Sequence, residues 1–293
     1  MGLDLVSLPL IDQPDVTDRV AGGEFGPYGQ QALDMAEQGF CLLHLADGTF
    51  RERAEEIRNS LAPQFDLKGW RAGSAANLRL QDGWKQCEAV RELALHPVVL
   101  ELLGTLYGRV PFCFQTLNFP VGSQQHFHSD AVHFHSYPHG FMCGVWMALE
   151  DIQADAGPLV YYPGSHRLPY RSAETEGLAP AEVAGEAHPQ RLFEPIWRRD
   201  VRQQGFQART YLPRQGEVLV WHANLLHGGL PVMNRRRTRW SQVNHFFFAD
   251  CLYTTPMHSF DFAAGGACLR QPQDVATGRP REDSVKGIMV PHR

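Results

Sequence analysis

His128, Ser129 and Asp130 form a His-x-Asp triplet, and His227 follows 99 residues later in the stretch Trp221-His222-Ala223-Asn224-Leu225-Leu226-His227-Gly228-Gly229. On an extended backbone, residues i and i+2 point to the same side. His128 and Asp130 can therefore present an imidazole nitrogen and a carboxylate oxygen to one ion. A third ligand has to come from elsewhere in the chain, and His227 is the candidate. Two histidines and one carboxylate on one face of an octahedron leave three positions open, which is the donor set of non-haem Fe(II) oxygenases. Two other histidines compete for these roles. His126 shares the strand face of His128 and Asp130 if the strand extends that far back, and His222 lies five residues before His227. His133, His135 and Tyr137 follow the triplet closely and are candidates to line a substrate entrance.

Such a triad needs strands to hold it. Phe112 to Phe119 is rich in aromatic residues and reads as a strand, and Gly144 to Leu149 is a second apolar run. Gly157-Pro158-Leu159-Val160-Tyr161-Tyr162-Pro163-Gly164-Ser165-His166 and Gly216-Glu217-Val218-Leu219-Val220-Trp221 supply two more, the latter leading into His227. Twelve residues past His227 stands Arg239, in Asn234-Arg235-Arg236-Arg237-Thr238-Arg239-Trp240-Ser241. Upstream, Gln30 to Gln38 and Thr49 to Leu61 read as helices, Phe40 to Leu45 as a strand, and Glu88 to Tyr107 as helical with an interruption at Pro97. Helices first and then many strands with turn residues between them suggest a β-sandwich with flanking helices.

These blocks, in this order and spacing, resemble the phytanoyl-CoA dioxygenase family of Fe(II)/2-oxoglutarate-dependent oxygenases over roughly residues 28 to 250. The matching positions are Asn118, His128 and Asp130, Trp146 to Glu150, Gly157 to His166, and His227-Gly228-Gly229 with Asn234 and Arg239. The resemblance implies a mainly β fold with flanking α: a double-stranded β-helix, the jelly-roll or cupin-like barrel, with N-terminal helices. It implies Fe(II) held by His128, Asp130 and His227, with 2-oxoglutarate and O2 as co-substrates and ascorbate as an aid in vitro. It also implies that Arg239 binds the far carboxylate of 2-oxoglutarate, because a guanidinium can engage both carboxylate oxygens. Arg237 is the alternative on the same strand face. Asn118 and Trp146 match residues that hold the co-substrate or pack beside it. Two departures stand out. Gly229 replaces a common serine, and the stretch from His227 to Asn234 is about two residues longer than usual.

The length allows a single domain over residues 1–293, which the resemblance makes an oxygenase domain, and the composition excludes several classes. A surface segment is expected over 1–28, helical support over 29–109, and a jelly-roll core over 110–250 with residues 171–210 inserted as a lid. A weakly patterned extension covers 251–293. Hydrophobic content of 43% suits a globular core, and a net charge of −5 argues against a general nucleic-acid partner. No 18-residue apolar run exists to cross a membrane. The six cysteines form no C-x-x-C pair and read as reduced and buried, which suits a cytoplasmic enzyme. The expected partner is a polar small-molecule substrate, and the expected assembly a monomer or small homo-oligomer. Two other readings are compatible with the fold. One is a jelly-roll protein that binds a metal or small molecule without turnover, which has no need of Arg239. The other is an iron halogenase, which requires the carboxylate ligand to be lost; Asp130 argues against it.

Overall fold

The computed structural model describes residues 8–45, 48–75, 78–261 and 265–281, together with the backbone of 284–285 and 288–289. Eleven strands carry the architecture: Phe40–His44 (β1), Leu80–Gln81 (β2), Pro111–Phe119 (β3), His135–Tyr137 (β4), Met142–Ala148 (β5), Leu159–Tyr161 (β6), Arg209–Tyr211 (β7), Glu217–His222 (β8), His227–Gly229 (β9), Ser241–Phe248 (β10) and Leu252–Thr254 (β11). Six form the larger sheet, in the order β1-β8-β5-β10-β3-β2, and three form the smaller one, β7-β6-β9. Every one of these pairings is antiparallel. The isolated bridge between His128 and His227 extends the smaller sheet by one position.

The two sheets face one another across an apolar layer. Phe40 packs on Tyr161 with ring centroids 4.6 Å apart, and Trp146 meets Tyr211 at 5.8 Å. Leu159, Leu219, Trp221 and Val243 complete this layer. Two antiparallel sheets enclosing such an interior make a jelly-roll, the double-stranded β-helix.

The other face of the larger sheet is covered by helices. Gly48–Leu61 buries Phe50, Ala54, Ile57 and Leu61, spaced to form one stripe of the helix. That stripe packs into a core shared with Phe112, Met142, Val218, Val220 and Phe247. Pro97 divides the helical stretch as its fixed φ and missing N–H demand: one helix runs from Glu88 to Ala94, and a second begins at Pro97 and ends at Tyr107. Residues 8–28 do more than wrap the surface, because Ile11 and Phe25 are buried in this same core.

The segment 171–210 is helical in two places, Pro180–Gly185 and Glu194–Gln204. Phe193 and Trp197 seal it onto Val132, Leu226 and Met257, beside the strand pair that carries the triplet. The cysteines are all free, and only Cys268 is partly exposed. Among the described residues no helix is long and apolar enough to cross a membrane.

Candidate active site

His128, Asp130 and His227 come together at the mouth of the jelly-roll. His128 and His227 exchange backbone hydrogen bonds, His128 N–H to His227 O at 2.8 Å and His227 N–H to His128 O at 3.0 Å. That places both rings on one side of the bridge, with centroids 4.6 Å apart. Ser129 is extended, and Asp130 opens a helical turn to Val132. The i, i+2 relation therefore holds for the triplet, and the chain then turns away. His128 Nε2 lies 3.7 Å from Asp130 Oδ1, and His227 Nε2 lies 3.8 Å from Asp130 Oδ2. One donor atom from each of the three residues falls within 4.8 Å of the other two.

The protonation pattern fits a divalent cation. His128 Nδ1 is 2.9 Å from the carbonyl of His126, and His227 Nδ1 is 3.0 Å from that of Leu225. Each Nδ1–H donates to its carbonyl, which leaves Nε2 as the free lone pair and fixes the ring, as second-shell partners of metal-bound histidines do. Burial and the neighbouring His227 push His128 down to about 4, so it is neutral at ordinary pH. Burial also lowers His227. Burial alone would raise Asp130, but the charge that His227 and His245 carry when protonated, with a hydrogen bond from His245, outweighs it and holds the carboxyl well below its usual range. Two neutral imidazoles and one carboxylate are the ligand forms a metal requires.

A cavity of about 270 Å³ opens beside the three residues. Its polar lining includes Arg79, Gln81, Gln115, Ser123, Gln125, His133, Gln190, Arg239 and His245. Leu117, Phe119, Phe134, Trp146, Leu159, Trp221 and Val243 form the apolar wall.

Arg239 is buried at 2% exposure. Its Nε donates to the carbonyl of Gly157 at 3.2 Å, its Nη1 donates to Ser241 Oγ at 2.9 Å, and its Cζ lies 5.5 Å from the ring centre of Trp146. No carboxylate of the described residues comes within ion-pair distance of it. Burial lowers its pKa to about 10, which still leaves it charged. Arg237, by contrast, is half-exposed and pairs with Asp155 at 2.7 Å. It does not line the cavity.

Several expected site residues lie elsewhere. Asn118 is fully buried, but strand parity turns it away from the cavity, because Gln115, Leu117 and Phe119 face inwards. It sits in register with Gln242 and donates to Gln242 Oε1 at 3.1 Å; Gln242 in turn donates to the carbonyl of Val90 in the helical layer at 2.9 Å. Asn118 thus joins the sheet to the helices. Asn118→Ala is expected to lower stability by about 1–3 kcal/mol, since it strips a buried amide of its donor, while leaving 2-oxoglutarate affinity unchanged. A denaturant melt beside a binding titration checks both halves.

His133 does line the cavity and bonds Gln190 Oε1 at 3.0 Å. His135 and Tyr137 do not. The turn after Asp130 carries them into β4, which pairs with β11, and there His135 contacts His139 at 2.6 Å and meets the Tyr170 ring edge-on at 4.8 Å. His126 accepts from Arg198 Nε at 2.8 Å, and His222 Nε2 faces Asp12 at 3.4 Å. Neither joins the triad.

Gly229 shows why serine is absent there: a Cβ on it would come within 2.6 Å of Ser123 Oγ, so a hydroxyl from the neighbouring loop fills the space. Trp221, His245 and Gln115 also line the cavity, and no motif in the sequence announces them. Period-two spacing forward from Arg239 gives Ser241, Val243 and His245, and that spacing is the signal the sequence holds for His245.

The buried histidines also set an acid limit. Burial lowers His133 and His166 to about 4, and His135 to about 3. In the unfolded chain each takes up a proton near pH 6.5, while the folded chain refuses it until pH 4 or below. The unfolded state therefore binds more protons across this window, and stability falls as pH drops from about 6.5 to about 4. The melting temperature of the metal-free protein is expected to fall over that range. A flat profile from pH 7.5 to 4.5 would contradict these assignments.

Fold and site together define a class: a jelly-roll non-haem iron enzyme that uses 2-oxoglutarate as co-substrate. Residues 46–239 match the phytanoyl-CoA dioxygenase family, and the chain belongs to that family. Solved structures share the fold. The epimerase SnoN in complex with Fe3+, alpha ketoglutarate and nogalamycin RO is 22% identical, with 82% of this chain and 87% of that one covered and a TM-score of 0.55. The carbocyclase SnoK from nogalamycin biosynthesis is 18% identical, covering 87% and 93% with a TM-score of 0.59. EctD from S. alaskensis with 2-oxoglutarate and 5-hydroxyectoine is 17% identical, covering 75% and 76% with a TM-score of 0.55. At these identities the likeness is one of fold. No curated protein matches the sequence.

Proposed function

We propose that the chain oxidises an unactivated C–H bond of a polar small molecule, most simply by hydroxylation, with His128, Asp130 and His227 as the iron ligands and Arg239 as the 2-oxoglutarate clamp. The observation that carries this reading is Arg239: a buried guanidinium with no carboxylate partner among the described residues, in the same cavity as the triad. Burying an unpaired charge is costly, so such a site favours a ligand that brings the counter-charge. The far carboxylate of 2-oxoglutarate meets that need. Iron bound at the triad supplies the oxygen chemistry, with 2-oxoglutarate and O2 consumed and succinate, CO2 and the oxidised substrate released.

The chain's own residues then position and exclude. His128 and His227 offer Nε2 because their Nδ1–H groups are tied to the backbone. Trp146 packs beside Arg239, and Leu159 and Val243 keep water from the co-substrate end. The substrate end is amide-rich. Gln81, Gln115, Gln125 and Gln190, with His133 and Ser123, offer donors and acceptors suited to a polar molecule. The fold does not dictate the outcome, since relatives of this architecture include an epimerase and a carbocyclase. Asp130 disfavours halogenation, which needs that ligand position free.

The test is incubation with Fe(II), ascorbate, 2-oxoglutarate and a panel of polar small molecules, reading succinate above the unstimulated rate. Product mass then decides the reaction. A gain of one oxygen atom, traced to labelled O2, supports hydroxylation. Loss of two hydrogens or an unchanged mass would replace hydroxylation with desaturation, ring closure or epimerisation.

A further inference from the structure

Asp130 is held by more than its place in the triplet. Trp221 Nε1–H donates to its Oδ2 at 2.8 Å, and His245 Nε2 lies 3.4 Å from the same oxygen. Trp221 is 1% exposed, and its ring lies against His227 with centroids 4.4 Å apart. The indole can lie there only because its cross-strand partner on β5 is Gly144. A Cβ at Gly144 would fall 2.2 Å from Trp221 Cε2 and 2.5 Å from Nε1, distances that real Cβ contacts do not reach. Gly144 and Trp221 thus work as a pair: a missing side chain on one strand admits a large ring from the next, and the ring delivers one N–H to the carboxylate.

We propose that Trp221, admitted by Gly144, is a positioning residue that ties down Oδ2 of Asp130 and leaves Oδ1 as the metal-facing oxygen. The carboxylate then binds through one atom. A carboxylate free to swing and bind through both oxygens would take one of the three positions the co-substrate and O2 need. The proposal rests on the assignment of the triad as the metal site, and the experiment separates the two.

Co(II) is titrated into the metal-free full-length protein, with binding followed by its visible absorption. Trp221→Phe keeps the ring and removes the donor. Gly144→Ala keeps Trp221 and displaces it. Both are expected to weaken Co(II) binding by about 10–100-fold, the usual effect of losing an outer partner of a ligand, and to alter the absorption spectrum. Trp84→Phe is the control, because the buried Trp84 Nε1 has no hydrogen-bond partner among the described residues and Trp84 lies in the helical core. It is expected to bind Co(II) as the wild type does.

Both variants are compared with wild-type protein carrying carboxyl-13C aspartate, whose Co(II)-minus-apo infrared difference is expected to show the wide separation of carboxylate stretches typical of one-oxygen binding. This measurement stands even where a variant fails to fold. Wild-type affinity and spectrum in folded Trp221→Phe, or the narrow separation of two-oxygen binding in the wild type, would overturn the proposal. Wild-type protein that binds no Co(II) would instead overturn the triad assignment beneath it.

Discussion

Asp130→Ala is expected to lower conversion of 2-oxoglutarate to succinate by more than about 100-fold, a larger loss than the ~10–100-fold typical of an outer partner. Asp130 supplies the only anionic donor of the triad. Without it, the triad is reduced to two neutral imidazoles, and affinity for a divalent cation collapses. The change also leaves Trp221 Nε1–H without its acceptor, a cost of about 1–3 kcal/mol. Asp130→Asn separates the two effects. Its side-chain oxygen still accepts from Trp221, so stability is expected to stay near wild type while turnover remains lost. Folded Asp130→Ala protein that turns over 2-oxoglutarate at the wild-type rate would remove Asp130 from the metal site.

Arg239→Ala is expected to weaken 2-oxoglutarate binding by about 30-fold or more. Truncating one partner of a buried charge pair costs on the order of 2–5 kcal/mol, and each ~1.4 kcal/mol is tenfold in affinity. Metal binding is expected to stay unchanged, because Arg239 is not a ligand. Arg239→Lys recovers only part of the loss, since an ammonium cannot reproduce the two-pronged contact. Arg237→Ala is expected to have no effect on binding, because that side chain pairs with Asp155 outside the cavity. Titration of 2-oxoglutarate into the metal-loaded variants without oxygen reads all three. Wild-type affinity in Arg239→Ala would remove the clamp and favour a jelly-roll that binds metal without turnover.

The parts of this protein that were legible in its sequence are those set by short-range periodicity. The His-x-Asp triplet works because one extended residue, Ser129, separates the ligands. The helix over Gly48–Leu61 declares itself by its apolar stripe, and Pro97 marks where one helix stops and another begins. What stayed hidden depends on strand parity and on register between distant strands. Asn118 lies one residue out of phase with the inward face of β3, so a plausible motif match ends in a structural amide network. The density of histidines after Asp130 was equally misleading: a helical turn redirects the chain, and His135 and Tyr137 leave with it.

Trp221 and Gly144 could not be paired from sequence at all, since nothing local says that one strand's glycine faces another's tryptophan. The helix Glu194–Gln204 was obscured for another reason. Its buried face includes Asp200, a charge satisfied at 2.7 Å by Arg171, 29 residues earlier in the chain, so its apolar pattern is broken.

The most direct test of the central claim is succinate formation from 2-oxoglutarate under air, measured for the wild type with and without Fe(II) and for the His227→Ala variant. Fe(II)-dependent succinate, formed one for one with O2 consumed and lost in His227→Ala, is the predicted result. Succinate formation that ignores Fe(II), or that survives loss of His227, would contradict the assignment of this cavity as an iron and 2-oxoglutarate site.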